Sequence, residues 1–134
     1  MAYVYNQKNI KPDKTLTDEK GFLKMELRWL LSEHNSPVNK VAIGHTHKYK
    51  GGEHRDHHHT NVEEIIYMLK GEAIERVGDE FVKLKQGDCL FIPKGVIHSH
   101  KVVSDEVETL CIYIGAPSFE KTGYVLDEND KSKS

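Results

Sequence analysis

From residue 21 to about residue 115 the chain is a series of short runs rich in valine, isoleucine, tyrosine and phenylalanine, separated by turn residues. No stretch there keeps an apolar period of about 3.6 residues over three turns, so the pattern predicts strands and not helices. "FLKMELRWLL" puts Leu23, Met25, Leu27, Trp29 and Leu31 on one face, with Lys24, Glu26 and Arg28 on the other. "VAIGHTHKY" puts Val41, Ile43, His45, His47 and Tyr49 together, an apolar and therefore inward face. Further runs are "EEIIYMLKG", "EAIERV", "EFVKLK", "CLFIP", "HSHKVV" and "ETLCIYIG", divided by turn-forming "KGE", "VGDE", "KQGD", "PKG" and "SDE". One-sided strands in this number are buried only by packing two sheets or closing one. An all-β sandwich or barrel is expected, with any ligand inside or at its mouth.

With 134 residues the chain is the size of one domain. We read 1–20 as a polar N-terminal arm, 21–125 as the barrel and 126–134 as a polar flexible tail. The formal charge is −2 and the lysines are scattered among acids, which argues against a nucleic-acid partner. No apolar run is long enough to span a membrane, and "MAYVYNQKNIKPDK" lacks the apolar stretch of a secretory signal, so a cytoplasmic protein is expected. Cys89 and Cys111 sit in strand-like runs, and their spacing fits no zinc knuckle; they read as buried free thiols.

Residues 51–71, "GGEHRDHHHTNVEEIIYMLKG", concentrate four of the nine histidines. His57 and His59 are two apart, so in extended chain both imidazoles point to one face. After "TNV" the chain re-enters a strand at Glu63 and Glu64, one of which returns a carboxylate to that side. A mixed nitrogen and oxygen site of this kind suits zinc, manganese, iron, nickel or cobalt. A third imidazole is on offer from "GDCLFIPKGVIHSH", where a strand and a Pro/Gly turn lead into His98. His58 alternates in direction and is expected to face away; His54 is expected in an exposed loop. His45 and His47 either line the cavity beside the metal or are hydrogen-bonded core residues at its far end. His100 shares parity with His98 and is a candidate for orienting a ligand. Tyr67 is a candidate for the pocket wall, although packing accounts better for it and for Trp29, Phe81, Phe91 and Tyr113.

This layout resembles the cupin superfamily. Its first motif is a glycine, five residues, a histidine, one residue, a histidine, three or four residues, a glutamate, six residues and a glycine. Gly51, His57, His59, Glu64 and Gly71 fit every interval. Its second motif is a glycine, five residues, a proline, one residue, a glycine, two residues, a histidine, three residues and an asparagine. Gly87, Pro93, Gly95 and His98 fit, while Val102 stands in place of the asparagine, which is not a ligand.

The resemblance implies an antiparallel jelly-roll β-barrel (double-stranded β-helix) with His57, His59, Glu64 and His98 holding one divalent transition metal, iron, manganese, zinc, nickel or cobalt. It implies turn roles for Gly71 and Gly87, and a homodimer in which the N-terminal arm crosses to the partner's sheet. Four protein ligands leave part of the metal's shell open, as catalysis requires. The function expected is a metalloenzyme acting on a small oxygen-rich metabolite, by dioxygenation, decarboxylation, isomerisation or lyase chemistry, with Glu64 as the base. The alternative is a non-catalytic cupin that binds or senses a small sugar or carboxylate.

Overall fold

The structure, a computed structural model, describes residues 1–127. Nine strands follow one another as β1 (Phe22–Leu31), β2 (Val41–His59), β3 (Glu63–Lys70), β4 (Glu72–Val77), β5 (Glu80–Lys85), β6 (Cys89–Ile92), β7 (His98–Val102), β8 (Glu106–Ile114) and β9 (Tyr124–Leu126). They form one curled antiparallel sheet in the order β5-β4-β7-β2-β8-β3-β6, with β1 and β9 also paired to β2. This is the expected jelly roll. Among the described residues the only helical segments are single 3-10 turns at Gln7–Asn9, Asp18–Lys20 and Phe119–Lys121. No described helix is long and apolar enough to cross a membrane.

The long strand β2 organises the molecule. Its first half pairs with β1 and β8, and its second half with β7 and β9. Between the halves the register against β1 jumps from Met25↔Lys48 to Leu23↔Glu53. The jump falls at Gly51 and Gly52. A Cβ on Gly52 would lie 2.7 Å from the Tyr49 carbonyl and 3.0 Å from that of Lys24, so the fold at this point admits no side chain. A second irregularity follows, since His54 pairs with His100 but His57 with His98, so that between these two pairs β2 carries one residue more than β7. That bulge swaps which residues face inward.

The interior is apolar at two places. Leu27, Ala42, Val62, Cys111, Tyr113 and Ala116 form one cluster, and Met68, Ala73, Leu84, Val102 and Val107 the other. Along β8 the inward residues run Val107, Thr109, Cys111, Tyr113, and a polar cavity opens between strands that the two clusters hold in place.

Several expectations change. The inward residues of the first half of β2 are Ala42, Gly44, Thr46 and Lys48, not the apolar odd-numbered set. On this strand the cavity wall is supplied by Thr46 and Lys48, so the face that looks inward is not the apolar one. Tyr67 lies on the outer face of β3, opposite in parity to Glu64, Ile66 and Met68, and contributes nothing to the pocket. Phe81 and Phe91 also face outward, at 71% and 51% exposure. Cys89 is exposed; both thiols are free. Leu126, read as the start of the tail, is in β9 and pairs with His57; residues 128–134 of that tail lie outside the described residues. In the arm, Asp13 and Ile10 are bonded to β1 of the same chain: Asp13 N–H donates to the Leu27 carbonyl at 2.8 Å, and Trp29 Nε1–H to the Asp13 carboxylate at 2.9 Å. Arg28 Nε–H donates to the Ile10 carbonyl at 3.0 Å. These bonds hold residues 10–13 against β1.

Candidate metal centre

His57, His59, Glu64 and His98 come together as the motif spacing requires. Each offers one ligand atom, all four atoms lie within 4.8 Å of one another, and all four residues are buried. His57 and His98 are cross-strand partners on β2 and β7, with ring centroids 4.0 Å apart. His59 follows two residues later at the end of β2, its ring centroid 5.4 Å from that of His57. Glu64 enters from β3, directly opposite Tyr113. The Pro93–Gly95 turn is tied to this end of β2 by Gly95 N–H, which donates to the His59 carbonyl at 2.9 Å and so sets where β7 begins.

The hydrogen bonds fix each tautomer. His57 Nδ1 lies 2.7 Å from the Arg55 carbonyl and His98 Nδ1 3.0 Å from the Val96 carbonyl; a carbonyl only accepts, so both Nδ1 atoms carry the proton. His59 Nδ1 lies 2.9 Å from the Thr122 hydroxyl, which donates its one proton to the Phe119 carbonyl at 2.7 Å. The hydroxyl therefore accepts from Nδ1–H. In each neutral ring Nε2 is left as a bare lone pair.

These lone pairs meet a carboxylate. Glu64 Oε1 is 3.2 Å from His98 Nε2 and 3.5 Å from His59 Nε2. Acceptor facing acceptor is repulsive in a buried site, and His59 Nε2 has no hydrogen-bond partner. Only an extra proton or a cation relieves it. Burial works to raise the Glu64 carboxyl, but a proton taken up by His59 or His98 would make its Nε2–H a donor to the carboxylate, and that interaction holds the group well below the usual carboxylate range. Burial works to lower His98, yet the Glu64 carboxylate raises it overall. Burial and the neighbouring imidazoles push His57 far down. Three nitrogen donors and one anionic oxygen, already aimed at a common point, fit a divalent transition ion.

The surrounding wall differs from expectation in instructive ways. His54 is buried, not exposed: it stacks on His57 at 3.6 Å between centroids, and its Nε2 lies 3.0 Å from the Tyr124 hydroxyl. The β2 bulge brings a residue three positions away onto the same face. His58 faces away, with Nδ1 2.9 Å from Asp127. His45 and His47 do not reach the cavity. They bond Glu108 and Glu106 at 3.1 and 2.8 Å and line a separate depression beside Lys8 and Ile10 of the arm. His100 does line the cavity, together with Lys48 and Glu75, which sequence reasoning passed over because nothing in their spacing marks them. Thr122 was equally invisible, since its role depends on where β9 pairs. Tyr113 closes another side, its hydroxyl pushed well above the usual range by burial and the Glu64 charge. The free space enclosed is small, about 20 Å³, roughly enough for one or two waters.

A model of the Cupin domain family matches residues 45–115. YjlB of Bacillus subtilis (strain 168) is 34% identical over 71 residues, covering 50% of this chain and 43% of that protein. The tetracenomycin polyketide synthase protein TcmJ of Streptomyces glaucescens is 27% identical over 71 residues, covering 53% of this chain and 48% of TcmJ. The chain thus spans about half the length of the curated relatives it matches. Among solved structures, a predicted oxalate decarboxylase from Thermotoga maritima superposes with a TM-score of 0.71 at 22% identity, covering 84% of this chain and 99% of that one. The polyketide cyclase RemF from Streptomyces resistomycificus gives 0.73 at 17% identity, covering 92% and 90%. At such identities the likeness concerns the fold. The family match, which takes in both glycine-framed motifs and all four inward donors, carries the assignment: this chain belongs to the cupin family.

Proposed function

We propose that this protein is a metal-dependent enzyme that binds one divalent transition metal through His57, His59, Glu64 and His98 and acts on a small oxygen-rich metabolite. One observation carries the reading: three Nε2 lone pairs and a carboxylate oxygen converge on one buried point, while every Nδ1 is held by its own acceptor. A metal bound there supplies Lewis acidity and, if it is iron, dioxygen chemistry. The chain does the rest. Arg55, Val96 and Thr122 hold the three rings by their Nδ1–H groups. Phe22, Met25, Leu27 and Ile66 exclude water from the cavity. Glu64, kept ionised, is the carboxylate in the group of four among the described residues and is the base for proton abstraction from a bound substrate.

Self-association belongs to the same proposal. In register across β2, β8, β3 and β6, the outer face presents Ile43, Ile112, Ile65 and Phe91 as a row beside exposed Tyr67, and β6 is a free edge of the sheet. A second copy of the chain is the occupant we assign to that face, giving a homodimer.

The test is elemental analysis of protein purified without chelator. Metal is then removed, restored as Fe(II), Mn(II), Ni(II), Co(II) or Zn(II), and small hydroxy and keto acids, sugars and enols are assayed for turnover. Turnover restored by metal and lost in His57→Ala and His98→Ala supports the enzyme. A ligand bound and returned unchanged favours the non-catalytic binder that the same cavity would equally house. No metal retained by any preparation contradicts both the centre and the chemistry.

A further inference from the structure

Beside the four ligands, the cavity wall carries a second polar group. Lys48 of β2, Glu75 of β4 and His100 of β7 all line it, at 4%, 0% and 2% exposure. Glu75 and His100 are cross-strand partners, and His100 Nδ1 lies 2.6 Å from Glu75 Oε1. With Nδ1–H donating to the carboxylate, His100 Nε2 is an acceptor; it is buried without a partner, as is Glu75 Oε2. Among the described residues the Lys48 ammonium makes no hydrogen bond or ion pair, and the Glu75 and Glu64 charges act on it only through space. Burial lowers its pKa, with those two carboxylates opposing the shift.

Such a trio does nothing for the fold that apolar side chains would not do better, because buried charges and buried polar atoms without partners are costly. It does suit a ligand. A donor with a full charge sits in the same small chamber as a bare acceptor nitrogen. A divalent ion held by Glu64, taken with Lys48 and Glu75, leaves the chamber one positive charge in excess, and a single carboxylate cancels it. The free space of about 20 Å³ admits only an occupant of few heavy atoms, with some give from Met25 and Leu27.

We propose that Lys48, Glu75 and His100 form the recognition site for a small hydroxycarboxylate: the Lys48 ammonium takes the carboxylate, and His100 Nε2, with its tautomer set by Glu75, accepts the hydroxyl proton. The second carboxylate oxygen then faces His57, Glu64 and His98 across the chamber. The inference deepens the metalloenzyme reading and rests on it for the charge count, while the arrangement of Lys48, Glu75 and His100 stands without it.

The probes are glycolate, acetate, which lacks the hydroxyl, and ethylene glycol, which lacks the carboxylate. Binding is read by calorimetry and thermal shift on metal-free and Mn(II)-loaded protein. Wild type is expected to bind glycolate best, acetate more weakly and ethylene glycol not measurably. Lys48→Met is expected to weaken glycolate at least tenfold in the Mn(II)-loaded form with its metal content unchanged. His100→Gln, which also serves if Lys48→Met does not fold, is expected to abolish the preference for glycolate over acetate. Glycolate affinity unchanged in Lys48→Met, a preference unchanged in His100→Gln, or no glycolate binding by wild type overturns the proposal. Metal content measured on the same samples decides the metal centre separately.

Discussion

His57 and His98 face each other across the β2–β7 pair, and each donates its Nδ1–H to the backbone carbonyl two residues before it, Arg55 and Val96 respectively. The same local device on two strands turns both Nε2 atoms toward Glu64. It requires the β2 bulge on one side and the Pro93–Gly95 turn on the other, so the centre is built from irregularities in the sheet as much as from the sheet itself.

Removing one ligand should therefore cost the metal and not the fold. His98→Ala is expected to bind less than a tenth of the wild-type metal, and its melting temperature should match that of metal-free wild type. At metal concentrations about 1,000 times the dissociation constant, binding contributes about 4 kcal/mol to wild type. Thermal unfolding with and without added metal measures the difference.

Thr122 fixes the ring of His59 through its hydroxyl. Thr122→Val keeps the volume and removes the acceptor, leaving a buried Nδ1–H unsatisfied. Metal affinity should fall about 10- to 100-fold, while Thr122→Ser restores most of it. Competition with a chromogenic chelator reads both.

Gly71 closes the turn between β3 and β4 at φ +86°, and a Cβ there would lie 2.2 Å from the Glu106 carbonyl. Gly71→Ala combines a left-handed backbone with a backbone clash. It should destabilise the protein by about 3 kcal/mol or more, measured as a shift of the urea midpoint.

His45 is buried on the arm side of β2, and burial lowers its pKa below the ordinary value of 6.5 despite the opposing charge of Glu108. A His with a depressed folded pKa is neutral when folded and protonated when unfolded, so its contribution is complete above pH 6.5. The contribution is lost as pH falls from 6.5 toward the folded pKa, with a slope of at most about 1.4 kcal/mol per pH unit for one group. Metal-free protein should lose stability over that window, and His45→Gln should show a shallower slope. Urea unfolding between pH 8 and pH 5 tests this; identical slopes would contradict the assignment.

Much of the site was legible because ligand spacing is a property of the chain alone. A one-residue gap puts His57 and His59 on one face of a strand, and six residues from Glu64 to Gly71 measure one strand and its turn. What depends on pairing was not legible. The Gly51–Gly52 jog and the bulge between His54 and His57 change which face of β2 is inward, and this hid His54. Apolar alternation misled in the first half of β2, where Thr46 and Lys48 point into the cavity while Val41 and Ile43 lie on the outer face, and this misplaced His45 and His47. Tyr67 followed the same rule, its parity opposite to that of Glu64.

The account rests on one ion held by three imidazoles and a carboxylate. X-ray absorption of the protein loaded with one equivalent of Co(II) measures that shell directly. The predicted spectrum has nitrogen and oxygen neighbours at about 2.0–2.2 Å, with outer-shell scattering from three imidazole rings that falls to two in His98→Ala. A first shell of water oxygens without imidazole scattering, or cobalt lost on gel filtration, would contradict it.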